Sequence, residues 1–528
     1  MPSTISYDYD VTVVGAGPAG LTTALLLAIK GVKTIIVEKR PGISPHPRAI
    51  GFTARTLEIF RSIGGIDIEP APVGFKLRRQ RIESLAGTWY EESSWGGPPG
   101  KTSGGGQAKE TPVEYSPVRG AAIPQDKLEA ILLERARQLG VVVRHSTCVD
   151  NLEQDSEGVT CILSSATAPS VSSPSPSPMK LRSRYLVAAD GGKSDVRQAL
   201  GIDRRGRGHI RTVRSVLFYA PQLDEYLSKG VHQFSISQPG FEAFLTTYSD
   251  SRWVLMFSDD QERNDEVLRQ SIARATGRPE LQPEIITTGR WELCALVADR
   301  FSEGRVFLAG DAAHQLPPNR GGYGANTGID DAHNLAWKLA QVLKAKASPK
   351  LLDSYDAERR PIAWLRLKQI FAREDYAKDA QGIADGVELI DDNAMEFGQL
   401  YRSEAVVSDY VDAPPARRPD QWNGQPGTRA PHQWVLSSHD QTRASTLDLF
   451  NKGSFCLLAT HDSWRGRTPT DVDCLVIGQD VLPTRIAAQR ILPRNLDFRR
   501  APPASYDPTD TLLGAAWPTA AKRSFNKL

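Results

Sequence analysis

With 528 residues, 40% hydrophobic and 24% charged, the chain is long enough for two or three globular domains with substantial cores. A formal net charge of +2, from 64 basic and 62 acidic side chains, gives no general pull toward nucleic acid or anionic lipid. The five cysteines, Cys148, Cys161, Cys294, Cys456 and Cys474, are odd in number and form no C-x-x-C, which argues against a disulfide framework, a zinc site or a redox dithiol.

In chain order, Met1–Asp10 is polar and carries no signal-peptide pattern, and the apolar stretch Ala19–Ile29 is too short to span a bilayer. A cytoplasmic protein with reduced thiols, no bound metal and no membrane span is therefore expected. Asp10–Val14 is a short apolar run bounded by glycine, as in a buried parallel strand. Pro18–Lys30 follows with a helix pattern, and Lys33–Val37 is a second buried strand ending at Glu38. Together they predict a β-α-β unit. Trp95–Gln107, rich in Gly, Pro and Ser, reads as an exposed loop. Residues 164–180 hold a Ser/Pro-rich segment between two strand-like stretches, Val159–Leu163 and Tyr185–Ala189, and read as a disordered hairpin tip. Val213–Phe257 contains alternating and apolar runs that predict antiparallel sheet with one face buried. Arg305–Ala309 is another buried strand, and Ile329–Leu343 a helix with Ile329, Ala332, Leu335, Ala336, Leu339 and Leu343 on one face. A Pro- and Arg-rich stretch over 414–426 opens a linker, and the remainder reads as a small α/β domain.

The first chemical signal is Gly15-Ala-Gly17-Pro-Ala-Gly20, placed after a strand and opening a helix. The first glycine permits a tight turn, the second lets backbone approach a pyrophosphate, and the third lets helix and strand pack closely. The helix N-terminus offers N–H groups to phosphate, and Glu38 is placed to accept hydrogen bonds from a ribose. A dinucleotide is the expected ligand, and this motif alone does not separate NAD from FAD. Two further strand ends carry Asp: Asp190-Gly191-Gly192-Lys193-Ser194-Asp195-Val196-Arg197 and Gly310-Asp311-Ala312-Ala313-His314.

Taken together, the three sites resemble the FAD-dependent aromatic hydroxylases, the para-hydroxybenzoate hydroxylase-like class A flavoprotein monooxygenases. The run from Gly310 through Pro317, Pro318, Gly321, Gly322, Gly324 and Asn326 to Gly328, and the segment Arg48-Ala-Ile-Gly-Phe-Thr-Ala-Arg55, are similar to the branch acting on phenols and aromatic polyketides. The resemblance implies an α/β fold: a Rossmann-type FAD-binding domain (1–75, 110–200 and 290–375) interleaved with an antiparallel-sheet substrate domain (76–109 and 201–289). A helical connection over 376–412 would lead to a thioredoxin-like C-terminal α/β domain over 413–528, without the family's usual closing strand pair. It implies that Gly15, Gly17, Gly20 and Glu38 hold the ADP half of FAD, with Lys39, Arg40 and Arg48 near its ribose and pyrophosphate. Gln125 would contact the middle of the cofactor and Asp311 the ribityl chain. Pro318, Gly321, Gly322, Gly324, Ala325 and Asn326 would pass along the flavin ring. Asp190 and Arg197 belong to a motif linked to both FAD and nicotinamide binding.

The implied activity is hydroxylation of a phenolic or polyketide-type substrate with NAD(P)H, NADPH preferred, and O2, through a flavin C4a-hydroperoxide. Activating a phenol requires removal of its proton, and His232 and Tyr248, in the predicted sheet, are candidate bases; packed sheet residues are the competing reading of both. His314 reads as a structural hydrogen-bonding residue. A helix beginning near Gly328 would point its positive end at the preceding loop and stabilise an anionic reduced flavin. The chain has no second G-x-G-x-x-G for a nicotinamide, no F-x-G-x-x-x-H and no W-x-W-x-I-P. Baeyer–Villiger-type or ring-opening oxygenation on the same scaffold, and a flavin-binding protein without turnover, are the alternatives. A homodimer is expected, with no nucleic-acid partner.

Overall fold

The computed structural model describes residues 6–75, 78–93, 113–166, 179–318, 322–407, 412–422, 424–450 and 455–483. The loop expected at Trp95–Gln107, most of the Ser/Pro-rich segment, Gly321 and the terminal stretch from 484 lie outside the described residues.

The first element is β1 (Tyr9–Val14), followed by α1 (Pro18–Ala28) and β2 (Thr34–Val37). Val11, Val13, Ile35 and Ile36 are completely buried, as expected of strands covered on both faces. Burying each such side chain stabilises the fold by about 1.5–3 kcal/mol. The elements that complete this layer are α2 (Ala54–Ile63), α3 (Gln125–Gln138), β4 (Val142–Arg144), β5 (Met179–Ala188) and β11 (Val306–Leu308), with β3 (Arg79–Ile82) belonging to the second sheet. The five parallel strands run in the order β4, β2, β1, β5, β11. The order reverses between β1 and β5, and ligands collect at the carboxyl ends of strands at such a reversal. The strands flanking the Ser/Pro-rich segment pair antiparallel, Leu163 opposite Met179.

The second sheet is built on β6 (Arg204–Tyr219), β7 (Gln233–Gln238), β8 (Phe241–Thr247), β9 (Arg252–Phe257) and β10 (Glu284–Ala298). They lie in the order β10, β6, β9, β8, β7, β3, all antiparallel except β7 with β3. Helix α4 (Asp265–Thr276) covers one face, where its Leu268, Ile272 and Ala275 form a closed core with Phe218, Phe234, Leu245, Trp253 and Leu255. The opposite face carries Leu217 and Val254, packed with Tyr248, Ile50 and Met256. On that face Phe244, Met256 and Trp291 remain partly exposed.

The long helix α5 spans Tyr323–Leu343, starting five residues before the expected position near Gly328. Gly328 instead sits where a Cβ would come within 2.9 Å of the Gly310 Cα and 3.2 Å of the Ala19 Cβ, so it lets α5 press against α1 and the Gly310 turn. The single apolar face read from sequence is also too narrow a description. Asp331, Asn334 and Lys338 are as buried as Ile329 and Leu335, because α6 (Asp353–Phe371) supplies buried charged partners to that side. After α6 the chain forms the short α7 (Asp392–Phe397). Beyond residue 413, the described residues form an antiparallel three-stranded sheet (Trp434–Ser437, Arg443–Ser445, Val481–Pro483) and a parallel pair (Phe455–Ala459, Val472–Val476). Among the described residues, no helix is long and apolar enough to cross a membrane.

Candidate active site

Three turns meet at the carboxyl ends of β1, β5 and β11. The Ala189 N–H donates to the Val14 carbonyl at 2.8 Å and the Ala309 N–H to the Ala188 carbonyl at 2.9 Å, which fixes the turns side by side. The three glycines of the first turn separate by environment. Gly15 has φ +104°, and a Cβ there would overlap the Ala189 carbonyl; a Cβ on Gly20 would overlap the Gly15 carbonyl. Gly17 has nothing within 4 Å of its Cβ position and caps α1 with no side-chain hydrogen bond. The first and third glycines therefore serve packing, and the second faces open space at an uncapped helix N-terminus.

At the end of β2, the Glu38 carboxylate accepts from the Ala16 N–H at 2.7 Å and the Arg40 N–H at 2.8 Å, tying the acid to the first turn. Lys39, Arg40 and Arg48 are exposed. Arg48 lies over the Trp291 ring at 5.5 Å, and the loop before it is pinned to the second sheet. His46 Nε2 meets the Ser215 hydroxyl at 2.9 Å, and Trp291 Nε1 donates to the same hydroxyl at 2.7 Å. Burial, and then Arg48, lowers the His46 pKa. Gln125 opens α3; its N–H donates to the Ala49 carbonyl at 2.9 Å and its Nε2 to Glu129 at 2.7 Å.

At the second turn, Asp190 Oδ2 accepts from the Val196 N–H at 3.2 Å, while its Oδ1 is buried with no hydrogen-bond partner. Burial raises this carboxyl. Beside the turn, a cleft of about 340 Å³ is lined by Arg197 and Arg204. Both guanidiniums point at the Gly192 carbonyl, at 3.3 and 2.9 Å. Burial lowers the pKa of each, and Arg197 is lowered further by Arg204.

Asp311 follows Gly310 in the third turn and is half-buried. Pro318 is exposed, and its carbonyl accepts from the Tyr376 hydroxyl at 2.5 Å. Gly322 is the N-cap of α5, at φ +56° and with no side-chain cap, so the first N–H groups of a 21-residue helix are left to the site. Gly324 and Ala325 are half-buried in its first turn. Asn326 is engaged by protein on both sides of its amide: Nδ2 donates to the Gly322 and Gly51 carbonyls at 2.8 and 3.2 Å, and Oδ1 accepts from the Thr53 N–H and the Thr56 hydroxyl at 3.0 and 2.6 Å. It joins the start of α5 to the start of α2.

The two candidate bases diverge. The Tyr248 hydroxyl donates to the Pro47 carbonyl at 2.9 Å in a buried setting, and burial raises its pKa well above the ordinary phenol value. Its proton is held by protein, and its role is to tether the Arg48 loop. His232 is half-buried, its Nδ1 has no hydrogen-bond partner, and burial lowers its pKa, so the ring is neutral at pH 7. Its ring lies edge-on to Phe75 at 6.1 Å.

Under the third turn lies a buried network in which His314, expected to be a structural hydrogen-bonding residue, is joined with residues of two separate helices that its sequence position does not announce. Asp331 Oδ2 accepts from the Gly310 N–H at 3.1 Å and meets His314 Nε2 at 2.6 Å, and its Oδ1 accepts from Arg359 Nε at 2.7 Å. Burial alone would raise the Asp331 carboxyl; His314 and Arg359 outweigh it and hold it at about 2. Arg359 extends the chain to the Tyr401 hydroxyl at 2.7 Å. Alongside, Glu358 accepts from Lys338 Nζ and Asn334 Nδ2, each at 2.7 Å. The signal available in sequence was the run of polar residues Asp330, Asp331, His333 and Asn334 inside an otherwise apolar helix.

The open N-terminus of α1 at Gly17, the unpartnered Asp190 oxygen and the uncapped start of α5 are groups that a dinucleotide with a long polar middle would satisfy. The comparisons agree. The family described as FAD binding domain matches residues 8–369. The chain is 36% identical over 478 residues to a 4-methyl-5-nitrocatechol 5-monooxygenase of Burkholderia sp, covering 86% of this chain and 82% of that protein. It is 36% identical over 473 residues to the aklavinone 12-hydroxylase RdmE of Streptomyces purpurascens, covering 85% and 83%. Among solved structures, it is similar to an aklavinone-11 hydroxylase in ternary complex with FAD and aklavinone, with TM-score 0.75 and 31% identity over 92% of each chain. It is also similar to the flavin-dependent monooxygenase PieE in complex with FAD and substrate, with TM-score 0.74 and 27% identity over 90% of this chain and 91% of that one. The chain belongs to the FAD binding domain family and, within it, is an FAD-dependent monooxygenase of the aromatic hydroxylase type.

Proposed function

We propose that the chain hydroxylates an aromatic, polyketide-type phenol, using NADPH and O2 with FAD as resident cofactor. The observation that carries the reading is the meeting of three strand-end turns and an uncapped helix with the open, aromatic face of an antiparallel sheet. Gly15, Gly17, Gly20 and Glu38 hold the ADP half, with Lys39, Arg40 and Arg48 beside it. Gln125, Asp190 and Asp311 serve the middle of the cofactor. Pro318, Gly322, Gly324 and Ala325 line its ring, and Asn326 keeps that loop in place. Bound FAD supplies electron transfer from the nicotinamide and activation of dioxygen.

The protein's own part is binding, orientation and proton handling. The uncapped start of α5 directs N–H groups and a positive dipole end into the site, where they favour negative charge. Phe244, Met256 and Trp291 give a planar substrate an apolar wall and keep water from the reacting atoms. His232, neutral and with Nδ1 unpartnered, accepts the proton of a phenol. Arg197 and Arg204, each made less comfortable as a cation by burial, suit the phosphates of a transient NADPH.

The test is anaerobic reduction of the flavin by NADPH, followed at the flavin band, with and without a panel of phenolic polyketides. A phenol that accelerates reduction by orders of magnitude supports the hydroxylase reading and names its substrate class. Reduction equally fast without substrate overturns it in favour of an oxidase-like or Baeyer–Villiger role.

A further inference from the structure

The open face of the antiparallel sheet ends at β10 in a contact between three side chains. Strand register places Phe244 of β8 opposite Met256 of β9, Met256 opposite Ser215 of β6, and Ser215 opposite Gly289 of β10. Directly paired residues share a face, and so do residues two apart on one strand, which brings Trp291 to the same side. A Cβ on Gly289 would come within 2.8 Å of Ser215 Oγ and of Trp291 Nε1, and within 3.0 Å of His46 Cδ2. Glycine thus leaves the room in which a sheet serine, a sheet tryptophan and a histidine from the loop after β2 converge. The His46 and Trp291 rings meet edge to face, with centroids 4.7 Å apart.

The hydrogen bonds at this point run in one direction. The Trp291 indole N–H can only donate, so the Ser215 hydroxyl accepts from it, at 2.7 Å. The Pro47 carbonyl can only accept, so the imidazole proton sits on His46 Nδ1, 3.4 Å away. Nε2 is then bare and accepts from the Ser215 hydroxyl at 2.9 Å. His46 and Ser215 are both buried, so either one would be costly to leave without its partner. The same Pro47 carbonyl accepts from the Tyr248 hydroxyl. Downstream, the Ala49 carbonyl accepts from the Gln125 N–H at the start of α3. Arg48 projects, exposed, from between these two anchors, and its guanidinium lies over the ring of Trp291, the residue at which the hydrogen bonds begin.

We propose that His46 is a positioning residue for the cofactor: bonded through Ser215 to Trp291, it fixes the loop that carries Arg48 and so presents that guanidinium, already oriented over Trp291, to the ADP half of FAD. The proposal rests on the placement of Arg48 beside that half, given above, and adds the device that holds it there. A long exposed arginine loses side-chain freedom when it takes a phosphate, and a loop and a ring that restrict it beforehand reduce that loss.

The test is FAD affinity, measured by fluorescence titration of the full-length protein freed of flavin. Asn reproduces the Nδ1 position of histidine, and Gln the Nε2 position. His46→Asn is expected to weaken FAD by about tenfold, and His46→Gln, which still reaches Ser215, to stay within about twofold of the wild type. Ser215→Ala removes the same link from the sheet side and gives the same loss; thermal melting of the flavin-free variants checks that each is folded. The deciding variant combines His46→Asn with Arg48→Ala. Arg48→Ala alone weakens FAD by about tenfold, and adding His46→Asn weakens it further by less than about twofold, because the arginine it positions is gone. Full affinity in His46→Asn or Ser215→Ala, absence of rescue by His46→Gln, or an undiminished loss in the Arg48→Ala background overturns the positioning role and leaves Arg48 at the cofactor. An Arg48→Ala protein that binds FAD like the wild type overturns the placement of Arg48, and this proposal with it; the family assignment, which does not depend on Arg48, stands.

Discussion

The two large sheets answer the same problem of burial in different ways. The parallel sheet is covered on both faces, and its ligand turns are made by backbone: Gly15 at φ +104°, Gly20 against a carbonyl, and Gly310 held by Asp331. The antiparallel sheet is covered on one face by α4 and leaves the other to the site, where Phe244, Met256 and Trp291 project as side chains. The cofactor half is thus specified by where chain can approach chain, and the substrate half by what projects from a surface. Lesions in the first should cost flavin, and folding with it wherever chain packs on chain, whereas lesions in the second should leave the flavin in place and change the substrate.

The most damaging expected change lies beneath the third turn. Asp331→Asn leaves Arg359 buried without its carboxylate, and stability should fall by about 3–5 kcal/mol, read by thermal or urea unfolding, with flavin lost on gel filtration. Next, Gly20→Ala drives a methyl into the Gly15 carbonyl; a loss of about 3 kcal/mol and flavin-free protein are expected. Its counterpart Gly17→Ala meets open space, so it should melt like wild type without flavin and yet bind FAD at least tenfold more weakly by equilibrium dialysis. Unchanged FAD affinity in Gly17→Ala would break the distinction between packing and ligand approach.

A fourth change tests the seam between α7 and α2. The Glu396 carboxyl accepts from the Arg55 N–H at 3.0 Å, and burial raises it to about 7. A carboxyl raised in the folded state adds stability that is complete below the unfolded value of 4.5 and is lost as pH climbs through about 7. Wild-type stability should therefore fall between pH 5 and pH 8 by up to about 3 kcal/mol, and Glu396→Gln should flatten that slope. An equal slope in the variant assigns the effect to another group. The smallest effect is expected on the open face. Phe244→Leu should raise KM for an aromatic substrate by about tenfold, close to 1.4 kcal/mol, with FAD affinity unchanged. Loss of flavin there would erase the contrast between the sheets.

How much of this was legible beforehand follows the same line. The β1-α1-β2 unit, the buried strand before Gly310 and the antiparallel pairing of the middle region come straight from periodicity, because a doubly covered strand reads as an unbroken apolar run and a singly covered one alternates. The start of α5 is not legible in the sequence, because a helix capped by glycine at positive φ gives no Ser, Thr or Asp signal and Gly328 reads as a boundary when it is a contact between helices. The Asp331–Arg359 pair is not legible in the sequence either, because its members lie on separate helices and polar residues on a helix read as solvent-facing unless a buried partner meets them.

The sequence by itself therefore determined the nucleotide-binding half, since glycine spacing and strand-end acids are local requirements of the backbone. Tertiary structure alone decided the rest. It tied the Tyr248 hydroxyl to Pro47, gave the Asn326 amide protein partners on both sides, and left His232 Nδ1 without a partner. It also brought Ser215 and Trp291 to one face of the sheet, where His46 meets them. Side-chain direction in a sheet depends on register across strands far apart in the chain, and register is fixed only when the sheet closes on its core.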